Sequence, residues 1–309
     1  MKRYCALFLA VLVLSLSMVG CQKTSGTLDE ENTSSEKLPE QSELVENTVS
    51  GKAITGEKTG TDKTYTGFEP LPAVHFDIDK TVRLKNDCIG YSYGVSKNGV
   101  PHENSLNAQK TFEKFGAIAI DTVCQTKNLY LTFDCGYENG YTSKILDTLK
   151  EKNVPAAFFC TFDFIKDNPD LVTRMILEGH IVGNHSTTHP SFPSLTREGM
   201  ASEIEKTDNY LREHFGYSAP YFRFPKGEYS ENALDLVSSI GYQSVFWSVA
   251  YADWDTSVIK GKEYATKTVT DRLHQGAIIL LHSVSPDNAA AMGDIIDKAR
   301  SDGYEFCSL

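Results

Sequence analysis

Five places in this 309-residue sequence carry side chains able to do proton or metal chemistry. They are Asp134 in Leu131-Thr132-Phe133-Asp134, the pair His185 and His189 in His-Ser-Thr-Thr-His, Arg223 after Tyr221-Phe222, Asp253-Trp254, and His282 after Leu280-Leu281. The two histidines stand four apart. Residues at i and i+4 of a helical turn share a face, so both imidazoles can reach one metal ion. Pro190 follows at once and disfavours helix at His189, which keeps that turn short. Taken singly, each group also has a plain structural reading. Asp134 and Arg223 can be a rim ion pair, His282 a satisfied core histidine, Trp254 ordinary core, and the histidine pair surface or core residues.

What joins them is the elements they end. From residue 129 onward, short apolar or β-branched runs recur at Leu129–Phe133, Ala156–Thr161, His180–Gly183, Tyr221–Phe224, Gln243–Val249, Ala277–His282 and Tyr304–Cys307. Between them, apolar residues repeat at helical spacing, as in Ile145, Leu146 and Leu149, or Met200, Ile204, Leu211 and Phe215. Gly179, Gly216, Gly241, Gly276 and Gly303 read as helix ends. Strand–helix alternation implies parallel strands with right-handed crossovers, and runs without strict alternation imply strands covered on both faces. The expectation is an α/β fold, a distorted seven- or eight-stranded parallel (β/α) barrel over 129–309, with an open doubly wound sheet as the alternative because pattern alone does not show closure. In such a barrel the C-terminal strand ends converge on one rim, where sites are built. Each reactive group sits at or just past such an end, which the separate structural readings leave as coincidence. No G-x-G-x-x-G or P-loop spacing follows the first strand, so a nucleotide fold has no positive support. Residues 66–128, with turn formers at Gly90–Gly99 and a short helix at Leu106–Phe115, read as an N-terminal extension packed on the barrel.

Composition excludes other classes. With 40% hydrophobic and 23% charged residues the chain is that of a folded protein, and a formal charge of −11 gives no affinity for phosphate backbones. Nucleic acid is excluded as a partner. Residues 1–21 read as an export signal, with Lys2-Arg3 followed by an apolar run from Ala6 to Val19 that is shorter than the ~18–20 residues of a permanent membrane helix. Met18-Val19-Gly20-Cys21 resembles a bacterial lipobox, which implies a lipid on Cys21 and attachment to the outer face of the membrane; plain secretion with cleavage nearby and an uncleaved anchor are the alternatives, and all three imply export. Residues 22–65 hold no aromatic residue before Tyr65 and are rich in Ser, Thr, Glu, Gly and Lys, the composition of a disordered tether. Of seven cysteines, Cys88, Cys124, Cys135, Cys160 and Cys307 lie beyond these segments, an odd number without the spacing of a disulfide framework or a zinc knuckle.

The ordered set Thr132-Phe133-Asp134, His185-Ser186-Thr187-Thr188-His189, Arg223-Phe224-Pro225-Lys226-Gly227, Asp253-Trp254 and Leu280-Leu281-His282 resembles the polysaccharide deacetylases, the NodB-like group or carbohydrate esterase family 4. Leu131–Tyr141, Gly183-Asn184-His185-Ser186 and Val245–Ala250 look like its delta-lactam-biosynthetic subgroup. The resemblance implies hydrolysis of a sugar N-acetyl group, which needs an activated water and an acid for the leaving amine. It makes Asp134 the base, His282 the acid and Arg223 the partner that keeps Asp134 ionised. It makes His185 and His189 ligands of a divalent metal, zinc by preference, and places Trp254, Pro225 and Asp253 at the substrate.

Two positions depart from the family pattern. Cys135 stands where a second aspartate would complete the metal site, either as a thiolate ligand or as a bystander. Ala250 stands where an aspartate would support the acid histidine, leaving Asp253 as a candidate partner of His282. The implied substrate is N-acetylmuramic acid in the glycan strands of peptidoglycan, on the way to muramic delta-lactam in spore cortex. An N-acetylmuramoyl-L-alanine amidase would act upstream to free the lactyl carboxyl. A deacetylase of N-acetylglucosamine in peptidoglycan or chitin-like glycans, or a barrel that binds glycan without turnover, are the alternatives.

Overall fold

The computed structural model describes residues 84–309. The expected signal (1–21) with Cys21, the tether (22–65) and the start of the extension lie outside these residues. The described elements run in the order β1 (Ile89–Gly90), α1 (Glu103–Phe112), β2 (Asn128–Cys135), α2 (Thr142–Lys152), β3 (Ala156–Cys160), α3 (Phe162–Asp167), α4 (Pro169–Leu177) and β4 (Ile181–Asn184). Then come α5 (Arg197–Phe215), β5 (Tyr221–Phe222), β6 (Glu228–Tyr229), α6 (Glu231–Ser239), β7 (Gln243–Ser244), α7 (Lys262–Thr270), β8 (Ala277–His282), α8 (Pro286–Ser301) and β9 (Glu305–Phe306). Several helices start where a hydroxyl accepts from an otherwise unpaired first-turn amide: Thr161 from Phe164, Thr196 from Gly199, Ser230 from Ala233 and Ser285 from Asn288. The extension helix begins at Glu103, earlier than the expected Leu106, because His102 Nδ1 caps it by accepting from Asn104 N at 3.1 Å.

The parallel sheet has the order β7-β5-β4-β3-β2-β8, with β9 beside the start of β2. This is the expected parallel α/β architecture, a curled sheet whose central strands are buried along almost their whole length. Its edges meet through isolated bridges: Val245 pairs Ile118, Ile120 pairs Ala277, and Val249 pairs Ile279. The segment expected as one strand, Gln243–Val249, is therefore regular only at Gln243–Ser244. It starts beside β5 and ends against β8, where Leu280 N donates to Val249 O at 2.8 Å, and a chain that changes partner cannot keep one ladder.

The extension contributes to this closure as well as covering it. The Tyr91 hydroxyl donates to Trp247 O at 2.6 Å, and the Phe112 ring stacks on Phe246 at 4.1 Å. Gly276 does not end a helix as expected, since α7 stops at Thr270. It enters β8 at φ +76°, and a Cβ there would stand 2.0 Å from Asp121 O. Close backbone approach, not helix capping, fixes glycine at this position. Among the described residues no helix is long and apolar enough to cross a membrane.

Candidate active site

Strand register brings the reactive groups together. Asp134 and His282 are directly opposed on the adjacent parallel strands β2 and β8, so their side chains leave the sheet on one side. Asn184 opposes Phe222, which sets His185 beside Arg223, whose amide donates to Asn184 O at 3.0 Å. A cavity of about 680 Å³ opens over these strand ends, lined by Asp134, His185, His189 and His282 together with Tyr137, Lys226, Trp247 and Trp254.

Asp134 is 8% exposed, and its Oδ1 accepts from Arg223 Nη1 at 2.8 Å. Arg223 is fully buried. Its Nε and Nη2 donate to Val245 O and Phe246 O at 2.9 and 3.3 Å, and its guanidinium lies 4.1 Å over the Phe159 ring. Every polar edge of the cation is thus directed, the condition under which a buried ion pair is tolerable. Burial alone would raise the Asp134 carboxyl, but Arg223, then His185 and His282, hold it below the ordinary carboxylate value. The group is a carboxylate at neutral pH, with Oδ2 left toward the cavity side, 3.6 Å from His185 Nε2.

His282 is built the opposite way. Its Nδ1 donates to Asp253 Oδ1 at 2.7 Å, and its amide donates to Asp253 Oδ2 at 2.8 Å. Burial disfavours the imidazolium, yet the Asp253 hydrogen bond and charge, then Asp134, lift its pKa above the usual 6.5. Asn288 on α8 completes the arrangement. Its amide donates to Asp253 Oδ2 at 2.6 Å and to His282 O at 3.1 Å, while its own oxygen accepts from the Tyr251 hydroxyl at 2.5 Å. Asp253 was expected at the substrate or, as a candidate, behind His282. Its carboxylate is wholly committed behind His282, so it fills the supporting place that Ala250 leaves open. Pro225 is likewise buried and not part of the lining, whereas its neighbours Lys226 and Gly227 are. Trp254, 59% exposed, lines the cavity with its ring 5.9 Å from that of His282, which removes the core reading.

The His185–His189 segment is not a helical turn. Ser186 and His189 take positive φ, +69° and +57°, in a loop held by side chains. Asn184 Oδ1 accepts from Ser186 N at 2.9 Å, and Glu203 Oε2 from Thr187 N and Thr188 N at 3.0 and 2.8 Å. The rings still end 4.9 Å apart. His185 Nδ1 donates to Arg223 O at 2.8 Å, which leaves Nε2 as a bare acceptor. Burial, then His185, pushes His189 down to about 4, so it too is neutral.

Two neutral imidazoles suit a divalent ion, but a catalytic zinc ordinarily has three protein ligands. Cys135 is not the third: its Sγ is buried 3.3 Å from Ser283 Oγ, on the other face of β2 from Asp134. Among the described residues no set of three His, Cys, Asp or Glu side chains converges for a metal. The donor set present therefore does not fit a complete catalytic metal site. Reading the sequence missed Lys226, Asn288, Glu203 and Trp247. Lys226 and Trp247 stand inside quoted motifs, but nothing in their spacing announces a cavity wall.

Residues 123–245 match the family described as polysaccharide deacetylase. The chain is 41% identical over 227 residues to the peptidoglycan-N-acetylmuramic acid deacetylase PdaA of Bacillus subtilis, covering 73% of this chain and 86% of that one. It is 35% identical over 185 residues to a peptidoglycan-N-acetylglucosamine deacetylase of Bacillus cereus, covering 58% of this chain and 66% of that one. The structure is similar to that of Bacillus subtilis PdaA, described as a family 4 carbohydrate esterase, with a TM-score of 0.67 and 40% identity over 72% of this chain and 95% of that one.

Proposed function

This chain belongs to the polysaccharide deacetylase family, carbohydrate esterase family 4, and on that footing we propose that it removes the N-acetyl group from N-acetylmuramic acid in peptidoglycan. It is a carbohydrate N-deacetylase, a hydrolase of a carbon–nitrogen bond other than a peptide bond. Identity of 41% over most of a muramic acid deacetylase, against 35% over a shorter stretch for a glucosamine deacetylase, favours muramic acid. Glucosamine remains the second reading on the strength of that other relative.

The observation that carries the chemistry is the opposed pair at the ends of β2 and β8, one group held ionised and the other with its pKa raised toward the protonated form. Asp134 takes a proton from a water at the acetyl carbonyl, and Arg223 fixes its rotamer and charge. The tetrahedral adduct then collapses as His282, through Nε2, protonates the amine, which cannot leave as an anion. Asp253 and Asn288 hold the imidazole for that step. Trp254 offers an apolar face to the sugar. Deacetylases of this family are metal-dependent in general. Among the described residues zinc would find His185 and His189 as two ligands, short of the three of an ordinary catalytic site. Replacing Asp134 by Asn preserves shape and removes the base, so acetate release should fall about 10²–10⁴-fold. Equal release from parent and variant would remove Asp134 from the chemistry.

Peptidoglycan deacetylases act on the cell wall, outside the cytoplasmic membrane. We assign residues 1–21 to export, Cys21 to lipid attachment, 22–65 to a tether, 66–128 to an extension and 129–309 to the catalytic barrel. Muramic delta-lactam in spore cortex is the product pathway that fits muramic acid deacetylation. Ring closure needs a free lactyl carboxyl, so an amidase acting upstream is part of the proposal.

A further inference from the structure

Lys226 is the feature of the cavity that the hydrolytic steps do not use. Among the residues lining it, Lys226 alone is a lysine or arginine; Arg223 is sealed beneath the wall. The Lys226 side chain is exposed and has no hydrogen bond or ion pair with another described residue. Its backbone is nonetheless closely specified. Lys226 sits at φ +60°, ψ 3°, a left-handed conformation that residues with a Cβ adopt only at a cost. Buried Pro225 precedes it. Gly227 follows at φ +65°, where a Cβ would stand 2.8 Å from Trp247 Cη2. The turn is thereby pressed against the cavity wall, and its ammonium acts electrostatically on His189. Trp247 lines the same cavity, and its indole N–H is buried without a partner among the described residues.

An unpaired cation on a fixed turn beside an amide-hydrolysing pair fits a substrate that carries an anion next to the acetamido group. Muramic acid has that form: the acetamido nitrogen and the lactyl ether stand on adjacent ring carbons, so both enter one cavity. We propose that Lys226 binds the free lactyl carboxylate and makes the enzyme select muramic acid whose peptide has already been removed, an inference that rests on the muramic acid reading above. When the lactyl carboxyl is joined to a peptide it is a neutral amide, and the attraction is lost. Glucosamine, with a hydroxyl at that carbon, lacks it altogether. Asp134 does not cancel the effect, being neutralised by Arg223, whereas Asp163, exposed on α3, opposes it. The cation therefore acts as the discriminating group, and its effect should weaken with salt.

The test compares two synthetic glycan oligomers that differ only at the lactyl group, one with the free carboxylate and one with its methylamide, using the full chain. The parent should favour the free acid by about tenfold in kcat/KM, mostly through KM, with the preference shrinking as salt rises. Lys226→Gln should bring the preference to within about twofold to threefold, and Lys226→Arg should restore most of it, which separates charge from folding. If the parent deacetylates muramic acid without preference, or Lys226→Gln keeps the preference, the inference is overturned and the muramic acid reading stands. If the parent releases acetyl from glucosamine but from neither muramic oligomer, both fall.

Discussion

The two ends of the hydrolysis are set by one register pair and two different surroundings. Asp134 keeps its charge because a buried arginine faces it; His282 keeps its proton because Asp253 does. This predicts the pH dependence. The acid must be protonated, so kcat/KM should hold below the raised His282 pKa and fall as pH rises through it, on the alkaline side of 6.5. The base has its pKa held below the ordinary carboxylate value, so it stays ionised throughout that range. Asp253→Asn removes the charge that supports the imidazolium, and the alkaline limb of the profile should move to lower pH while kcat falls about 10²–10⁴-fold. An unmoved limb would show that Asp253 does not control His282. Asp134, His185, Arg223 and His282 were legible in the sequence as candidates because each lies at or just past an apolar run, and His189 because it stands four residues after His185. Asp253 was legible as a candidate partner of His282 and as a substrate residue, without a way to choose between the two. Which way it faces depends on Asn288, 35 residues later, and no local pattern encodes that contact.

At the scale of elements, the central strands read correctly because burial on both faces leaves continuous apolar runs, and β8 matches its expected span of Ala277–His282. The failures fall where a segment answers to more than one partner. Residues 243–249 change neighbours between β5 and β8, so their apolar run overstates the strand. The histidine loop is shaped by Asn184 and Glu203, so i,i+4 spacing suggested a helical turn that is absent. Gly276 belongs to the barrel seam, where Asp121 and Gly276 meet backbone to backbone. Gly276→Ala should therefore lower the unfolding free energy by about 3 kcal/mol or more, read as a reduced denaturation midpoint. Gly303→Ala, also at positive φ but with open space around the new Cβ, should cost only the left-handed backbone strain of about 1–2 kcal/mol. Equal losses at the two sites would mean that the seam contact contributes nothing.

At the scale of the whole molecule, the deacetylase chemistry and the lipid attachment proposed for Cys21 are separable. If Cys21 carries the lipid, Cys21→Ser should move the protein from the membrane fraction to the soluble fraction while acetate release from soluble glycan stays at the parent level. A membrane-bound Cys21→Ser protein would point to retention by another segment. Muramic acid deacetylation itself is tested by mass spectrometry of peptide-stripped glycan strands that carry both N-acetylmuramic acid and N-acetylglucosamine, after incubation with the parent chain and with Asp134→Asn. The muramic acid reading predicts acetyl loss confined to muramic acid with the parent, and the arrangement at the ends of β2 and β8 predicts that loss nearly absent with the variant. Acetyl loss confined to glucosamine, or no loss from either sugar, would contradict it.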